Sequence, residues 1–156
     1  MSDIPVRIPI PRAPVWIVVA DASRARVFTA LTGRSQLHEK ETLIEPRARL
    51  KGQDLVSDDT GRTFDRAGTG RHGKEPVTDP REAVEVEFAR ELAEHLREAA
   101  QEGQFEKLYL VAPPSFLGEL RAVLPDAVRK LVASELSKDL TRQAPQQIRD
   151  ALPEIL

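Results

Sequence analysis

Val15-Trp16-Ile17-Val18-Val19-Ala20-Asp21-Ala22-Ser23-Arg24-Ala25-Arg26-Val27-Phe28 decides the fold. Val15 to Ala20 is a short, nearly continuous apolar run and reads as a buried central strand. Asp21-Ala22-Ser23 is turn chemistry. From Arg24 to Leu31 the pattern alternates, with Ala25, Val27 and Thr29 on one face and Arg24, Arg26 and Phe28 on the other. A hairpin partner of the first strand would look this way. Gly33-Arg34-Ser35 turns the chain again. Leu37 to Ile44 is a third strand, more polar and therefore expected nearer an edge.

Downstream, Glu45 to Asp79 shows no sustained period and holds Gly52, Gly61, Gly68, Gly70, Gly73, Pro46 and Pro76. A structureless stretch this long inside a compact domain is usually functional or disordered. A long helix follows. Asp79 is a good N-cap, Pro80 suits the first helical position, and Glu82 completes a capping-box pattern. Val84, Phe88, Leu92, Leu96 and Ala99 form its buried stripe, and Gly103 ends it. Lys107 to Ala112 is a fourth, buried strand stopped by Pro113-Pro114. Ser115 to Leu124 is a short helix with Phe116, Leu117, Leu120 and Leu124 inward. Pro125 opens a turn or helix to about Leu131, and Val132 to Leu136 is a fifth strand. Pro145 to Leu156 is a terminal helix with Ile148, Leu152 and Ile155 inward.

The order predicts an α/β single domain of ribonuclease H-like order, β-β-β-α-β-α-β-α. It has a mixed five-stranded sheet with helices packed on it. Residues 1–13, where Pro alternates with Ile, Val and Arg, are expected to form an extended or mobile tail. Residues 14–156 are expected to form the domain, with a long loop at 46–79. A chain of 156 residues fits one domain and can bury roughly 68–70% of its unfolded surface. An apolar fraction of 40% against 31% charged marks a globular chain.

Without cysteine, disulfides and thiolate metal sites are excluded. No metal or cofactor is expected. No stretch approaches the roughly 18 apolar residues of a membrane helix, and the N-terminus lacks a signal-peptide core. The expectation is a cytoplasmic protein that does not use the membrane. The net charge of −2 does not announce a nucleic-acid binder, but its distribution is uneven. From Arg81 onward 10 basic residues face 14 acidic ones, whereas Gly61–Lys74 carries Arg62, Arg66, Arg71 and Lys74 against Asp65, net +3. A cationic loop sits on an acidic body, either as a solvated loop or as an anion-binding one.

Gly68-Thr69-Gly70-Arg71-His72-Gly73 fits G-x-G-x-x-G, yet it lacks the preceding buried strand, the helix opening within it and the downstream acid of a dinucleotide site. Its glycines instead allow positive φ or close backbone approach to a ligand. A two-metal nuclease needs converging carboxylates. Asp21 qualifies by position, but the fourth strand ends in Val111-Ala112-Pro113-Pro114. His95 reads as a structural helix residue and His38 as an exposed one. His72 lies among Arg71, Gly73, Lys74 and Glu75, where nearby positive charge favours its neutral form. It therefore reads as a catalytic base, an anion or RNA contact, or a structural residue. Arg62 and Arg71 suit a bidentate clamp on phosphate or carboxylate. The alternative is an Arg62–Asp65 pair that orders the loop.

The stretch Trp16 to Phe28, with Ser57-Asp58 through Gly61-Arg62-Thr63-Phe64-Asp65, resembles a bacterial family, the host attachment proteins ("protein required for attachment to host cells"). So do Gly70-Arg71-His72 with Glu75-Pro76, Val111-Ala112-Pro113-Pro114-Ser115-Phe116-Leu117-Gly118-Glu119-Leu120, and Lys138-Asp139-Leu140-Thr141. The resemblance covers about residues 14–150. That family is in turn similar to the middle domain of archaeal and eukaryotic peptide-chain release factors, in which a basic, glycine-containing stretch leads to a Gly-Gly-Gln tip and a long helix. Arg71-His72-Gly73-Lys74 and Phe88-Ala89-Arg90 fit that arrangement. Glu75-Pro76-Val77-Thr78 stands where Gly-Gly-Gln would come, which speaks against Gln-dependent peptidyl-tRNA hydrolysis.

The resemblance implies a domain that binds RNA, tRNA or the ribosome through Arg62, Arg66, Gly68, Gly70, Arg71, His72 and Lys74. Two other readings stand beside it: a small hydrolase using His72 with Asp65 or Glu75, and a protein-interaction module acting indirectly in host attachment.

Overall fold

The computed structural model describes residues 14–31, 34–49, 79–154 and 156. Among them five strands, β1 (Val15–Ala20), β2 (Arg24–Ala30), β3 (His38–Ile44), β4 (Lys107–Ala112) and β5 (Val132–Ser137), form one sheet in the order β3-β2-β1-β4-β5. The hairpin-linked pairs β1/β2 and β2/β3 are antiparallel. The pairs β1/β4 and β4/β5, reached by helical crossovers, are parallel. The helices are α1 (Pro80–Gln101), α2 (Pro114–Val123), α3 (Asp126–Arg129) and α4 (Pro145–Ala151). The expected mixed five-stranded α/β architecture with a central first strand is present.

Every residue of β1 is buried. Side chains alternate across a strand, so an unbroken apolar run requires cover on both faces. Trp16, Val18 and Ala20 enter a core with Phe88, Leu92 and Leu96 of α1 and Phe116 and Leu120 of α2. Val15, Ile17 and Val19 enter a second core with Phe28, Tyr109, Val111, Ile148 of α4, Leu152 and Leu156. Trp16 stacks on Phe105 at 4.8 Å between ring centroids and on His95 at 6.3 Å. His95 Nε2 lies 2.8 Å from Glu41 Oε2, which ties the polar edge strand β3 to α1. His95 is thus the structural residue its position beside the apolar stripe predicts, and His38 is exposed.

The α1 termini follow from their sequence. Asp79 Oδ1 accepts from the Arg81 amide at 2.8 Å and Pro80 opens the helix, so a donor left orphaned by helix geometry is satisfied. At the other end Gly103 has φ +73°. Gly103 N donates to Ala100 O at 3.0 Å and Gln104 N to Ala99 O at 2.9 Å, the two bonds of a Schellman motif.

Besides shifts of one or two residues at several element ends, two features differ from expectation. The terminal helix stops at Ala151 rather than running to Leu156. Leu152 is extended, with φ −96° and ψ 165°, because the ring of Pro153 excludes the helical conformation from the residue before it. Pro46–Arg49, expected as loop, forms a 3-10 turn. Residues 50–78 of the expected loop, and the expected tail at 1–13, lie outside the described residues.

Leu92 is fully buried in the larger core, so Leu92→Ala should lower unfolding free energy by roughly 2–5 kcal/mol in urea titration. An added Cβ at Gly103 meets nothing within 4 Å, so Gly103→Ala isolates the left-handed strain and should lose about 1–2 kcal/mol. A Gly103→Ala variant as stable as the parent would refute this C-cap geometry.

Candidate functional site

The residues singled out from sequence, Arg62, Asp65, Arg66, Gly68, Gly70, Arg71, His72, Lys74 and Glu75, all lie outside the described residues. The structure does describe the two ends from which that segment springs, and a polar knot formed by two of the motifs.

The upstream end is pinned through Arg47. The Glu45 amide donates to Ser23 O at 2.9 Å, which fixes the chain as it leaves β3. The Glu45 carboxylate is buried and takes 2.6 Å from Arg47 Nη2. The same Arg47 nitrogen lies 2.8 Å from Glu87 Oε2 in the second turn of α1. Hydrogen bonding from Arg47 outweighs burial and holds the Glu45 carboxyl below its ordinary value. The two carboxylates raise Arg47 above its own. The Arg47–Glu87 pair is about half exposed and adds no more than about 1 kcal/mol. Its effect is geometric, since it sets the exit of β3 against the start of α1.

The downstream end is Asp79, the N-cap of α1. Burial raises the Glu85 carboxyl, and repulsion from Glu119, Glu82 and Asp79 raises it further. Acidic side chains thus crowd the root from which the cationic segment departs.

The knot joins the turn after β1 to the segment after β5. Asp21 Oδ1 accepts from the amides of Ser23 at 2.8 Å and Arg24 at 2.9 Å, and from Ser23 Oγ at 2.9 Å. Its Oδ2 lies 2.8 Å from the hydroxyl of Thr141, a residue 120 positions away, and that hydroxyl lies 2.8 Å from Asp139 Oδ1. A hydroxyl has one hydrogen, so buried Thr141 shares it between two carboxylates. Arg26 completes the knot. Its Nη1 donates to Thr141 O at 2.9 Å and Gln143 O at 2.7 Å. Its Nε and Nη2 grip Glu39 bidentately, each at 3.0 Å.

The chemistry of this knot is structural. Burial pushes the Asp21 carboxyl up, but the bonds from Ser23, Thr141 and Arg24 outweigh it and keep the group below its ordinary 3.8. Among the described residues no three His, Cys, Asp or Glu side chains are disposed to hold a metal ion. Asp21, the sequence candidate for a nuclease carboxylate, is committed to backbone and hydroxyl donors. Sequence reasoning missed the Asp21–Thr141 partnership. The signal was present only as two separate motifs, and their meeting depends on β5 lying two strands from β1.

The model of a family described as "Protein required for attachment to host cells" matches residues 16–152. The uncharacterized protein RP470 of Rickettsia prowazekii (strain Madrid E) is 31% identical over 70 residues, covering 44% of this chain and 47% of that protein. The chain therefore aligns with about half the length of that relative. Among solved structures, the archaeal translation termination factor aRF1 is similar with a TM-score of 0.50 at 13% identity, over 90% of this chain and 35% of that one. At that identity the likeness concerns the fold alone. A structure titled "Archaeal protein" matches with a TM-score of 0.44 at 14% identity, over 88% of this chain and 37% of that one.

Removing the shared hydroxyl tests the knot. Thr141→Val leaves Asp21 Oδ2 and Asp139 short of a donor and should lose about 1–3 kcal/mol at pH 7. Because Asp21 is lowered in the folded state, its contribution is complete above about pH 4, near its unfolded value. It disappears as pH falls through the folded value. Thermal melts across the acid range should show the gap between wild type and Thr141→Val narrowing towards low pH, and a constant gap would contradict the assignment.

Proposed function

From the family to which this chain belongs, that of proteins required for attachment to host cells, and from its fold, we propose a release-factor-like domain that binds RNA. The partner is ribosomal or transfer RNA, contacted in the cytoplasm through the basic segment 61–74. The fold likeness to a translation termination factor supports the class of partner. The observation that carries the reading is the charge contrast. The segment Gly61–Lys74 carries +3 within a chain of net −2, which leaves the remainder at −5. An anionic polymer is repelled by the body and attracted to one place on it.

Arg62, Arg66, Arg71 and Lys74 serve as phosphate contacts. Gly68 and Gly70 let the backbone approach the sugar-phosphate chain. His72, neutral among cations, offers a ring for base stacking. The domain spans residues 14–156. Glu75-Pro76-Val77-Thr78 supplies no glutamine to position a hydrolytic water, so the domain binds without releasing peptide from tRNA. A role in attachment is on this reading indirect and exerted through RNA-level processes.

Each phosphate contact to single-stranded RNA releases counterions. Four contacts predict a log–log salt slope of roughly −2.8, about −0.7 per contact. Arg71→Ala should weaken binding and flatten the slope by about 0.7, with the melting temperature nearly unchanged. His72→Ala should weaken binding without changing the slope. Fluorescence titrations of labelled RNA at several salt concentrations, with parallel melts, read these outcomes. Wild-type protein showing no salt-sensitive affinity for RNA or ribosomes sinks the proposal. A reconstituted peptide-release assay should show no turnover.

A further inference from the structure

The two edges of the sheet are finished differently. β3 carries Glu39, Lys40 and Glu41 in succession. Glu39 is gripped by Arg26, Lys40 lies over the Trp16 ring at 5.7 Å, and Glu41 pairs with His95. Charges of this density keep an exposed edge from pairing with foreign strands. β5, at the other edge, reads Val132-Ala133-Ser134-Glu135-Leu136-Ser137 and holds one ionisable side chain. That side chain, Glu135, is neutralised by Arg121 of α2 at 2.6 Å.

Among the described residues no strand lies on the outer side of β5. Its register with β4 slips between Leu108 and Tyr109, which face Val132 and Ser134. Ala133 is the extra residue of this bulge, and the backbone groups of such a residue are left out of the ladder. Beside the strand lies an open cleft of about 720 Å³ whose lining includes Leu124, Val132, Ala133, Arg121 and Arg129. We propose that the outer edge of β5 is a docking site for an extended, acidic segment of a partner protein, which joins the sheet as a further strand.

Main-chain bonds along a free edge supply affinity for an extended peptide, and flanking side chains supply selectivity. Ala133 and Ser134 are small and exposed, so an incoming backbone meets no bulk. Leu124 and Val132 give the cleft an apolar floor. Arg129 donates one N–H to Arg121 O at 2.7 Å, and a guanidinium has five, so donors remain to bind a carboxylate. The choice of occupant rests on charge. Two arginines against one glutamate leave this edge positive. A second copy of the same edge therefore meets like charge, while an acidic peptide meets its complement.

The test selects short peptides from a displayed random library on the full chain. Enriched sequences should alternate β-branched or aromatic residues with Asp or Glu. Affinity measured by fluorescence anisotropy should fall about tenfold or more in Arg129→Glu and in Ala133→Pro, the scale on which truncating a central interface side chain weakens binding, and should hold in Arg34→Glu. Circular dichroism reports whether each variant folds, and Arg129→Glu keeps the test decisive where Ala133→Pro does not fold. No enrichment, or binders indifferent to folded variants of both sites, overturns the proposal. A concentration-dependent dimer abolished by Ala133→Pro would assign the edge to a second copy. Single-stranded RNA binding abolished by Arg129→Glu would assign the cleft to nucleic acid. Either result also overturns it.

Discussion

Strand β1 has neither a free face nor a free edge. Its six residues are covered by α1 and α2 on one side and by α4 and the chain terminus on the other, with β2 and β4 as its ladder partners. Each of the other elements is positioned by a contact with this strand or with a neighbour of it. The price is sequence freedom, because a polar side chain in Trp16–Val19 would be buried without a partner. That explains why the run is apolar without alternation while its neighbour β2 still admits Arg24, Arg26 and Thr29.

The polar network takes over where the apolar one stops. β1 ends at Ala20, and Asp21 gathers donors from its own turn and from Thr141. Arg26 reaches both the segment after β5 and the edge strand β3. One arginine and one aspartate thus join opposite halves of the sheet. At the other end of β3, Arg47 performs a similar service between Glu45 and Glu87.

How much of this could be read from sequence depended on range. β1, β4 and α1 were legible because their signals are local. These are an apolar run, a stripe at helical spacing, and Asp79, Pro80 and Gly103 at the helix ends. The terminal helix was read too long for an instructive reason. Leu156 keeps the apolar period and is buried, yet Pro153 has already ended the helix, so periodicity there marked burial rather than conformation. The Asp21–Thr141 bond was illegible, since nothing near either residue encodes a partner 120 positions away. The cationic segment was legible as charge, which is additive along a chain, whereas its conformation lies outside the described residues.

The parallel pairing of β1 with β4 has a consequence for the order of events during synthesis. Val15 aligns with Lys107, 92 positions later. At roughly 5–20 residues per second, about 5–20 s separate the emergence of Trp16-Ile17-Val18-Val19 from that of the strand that closes its open edge. The β1/β2/β3 meander needs only nearby residues and can form early, but one apolar face waits for α1, one apolar edge for β4, and the other face for α4. There is therefore an interval in synthesis in which this apolar strand has been made and the helices that cover it in the finished domain have not. Apolar surface exposed over such an interval is where translation speed and chaperone access act on folding, apart from the stability of the finished domain.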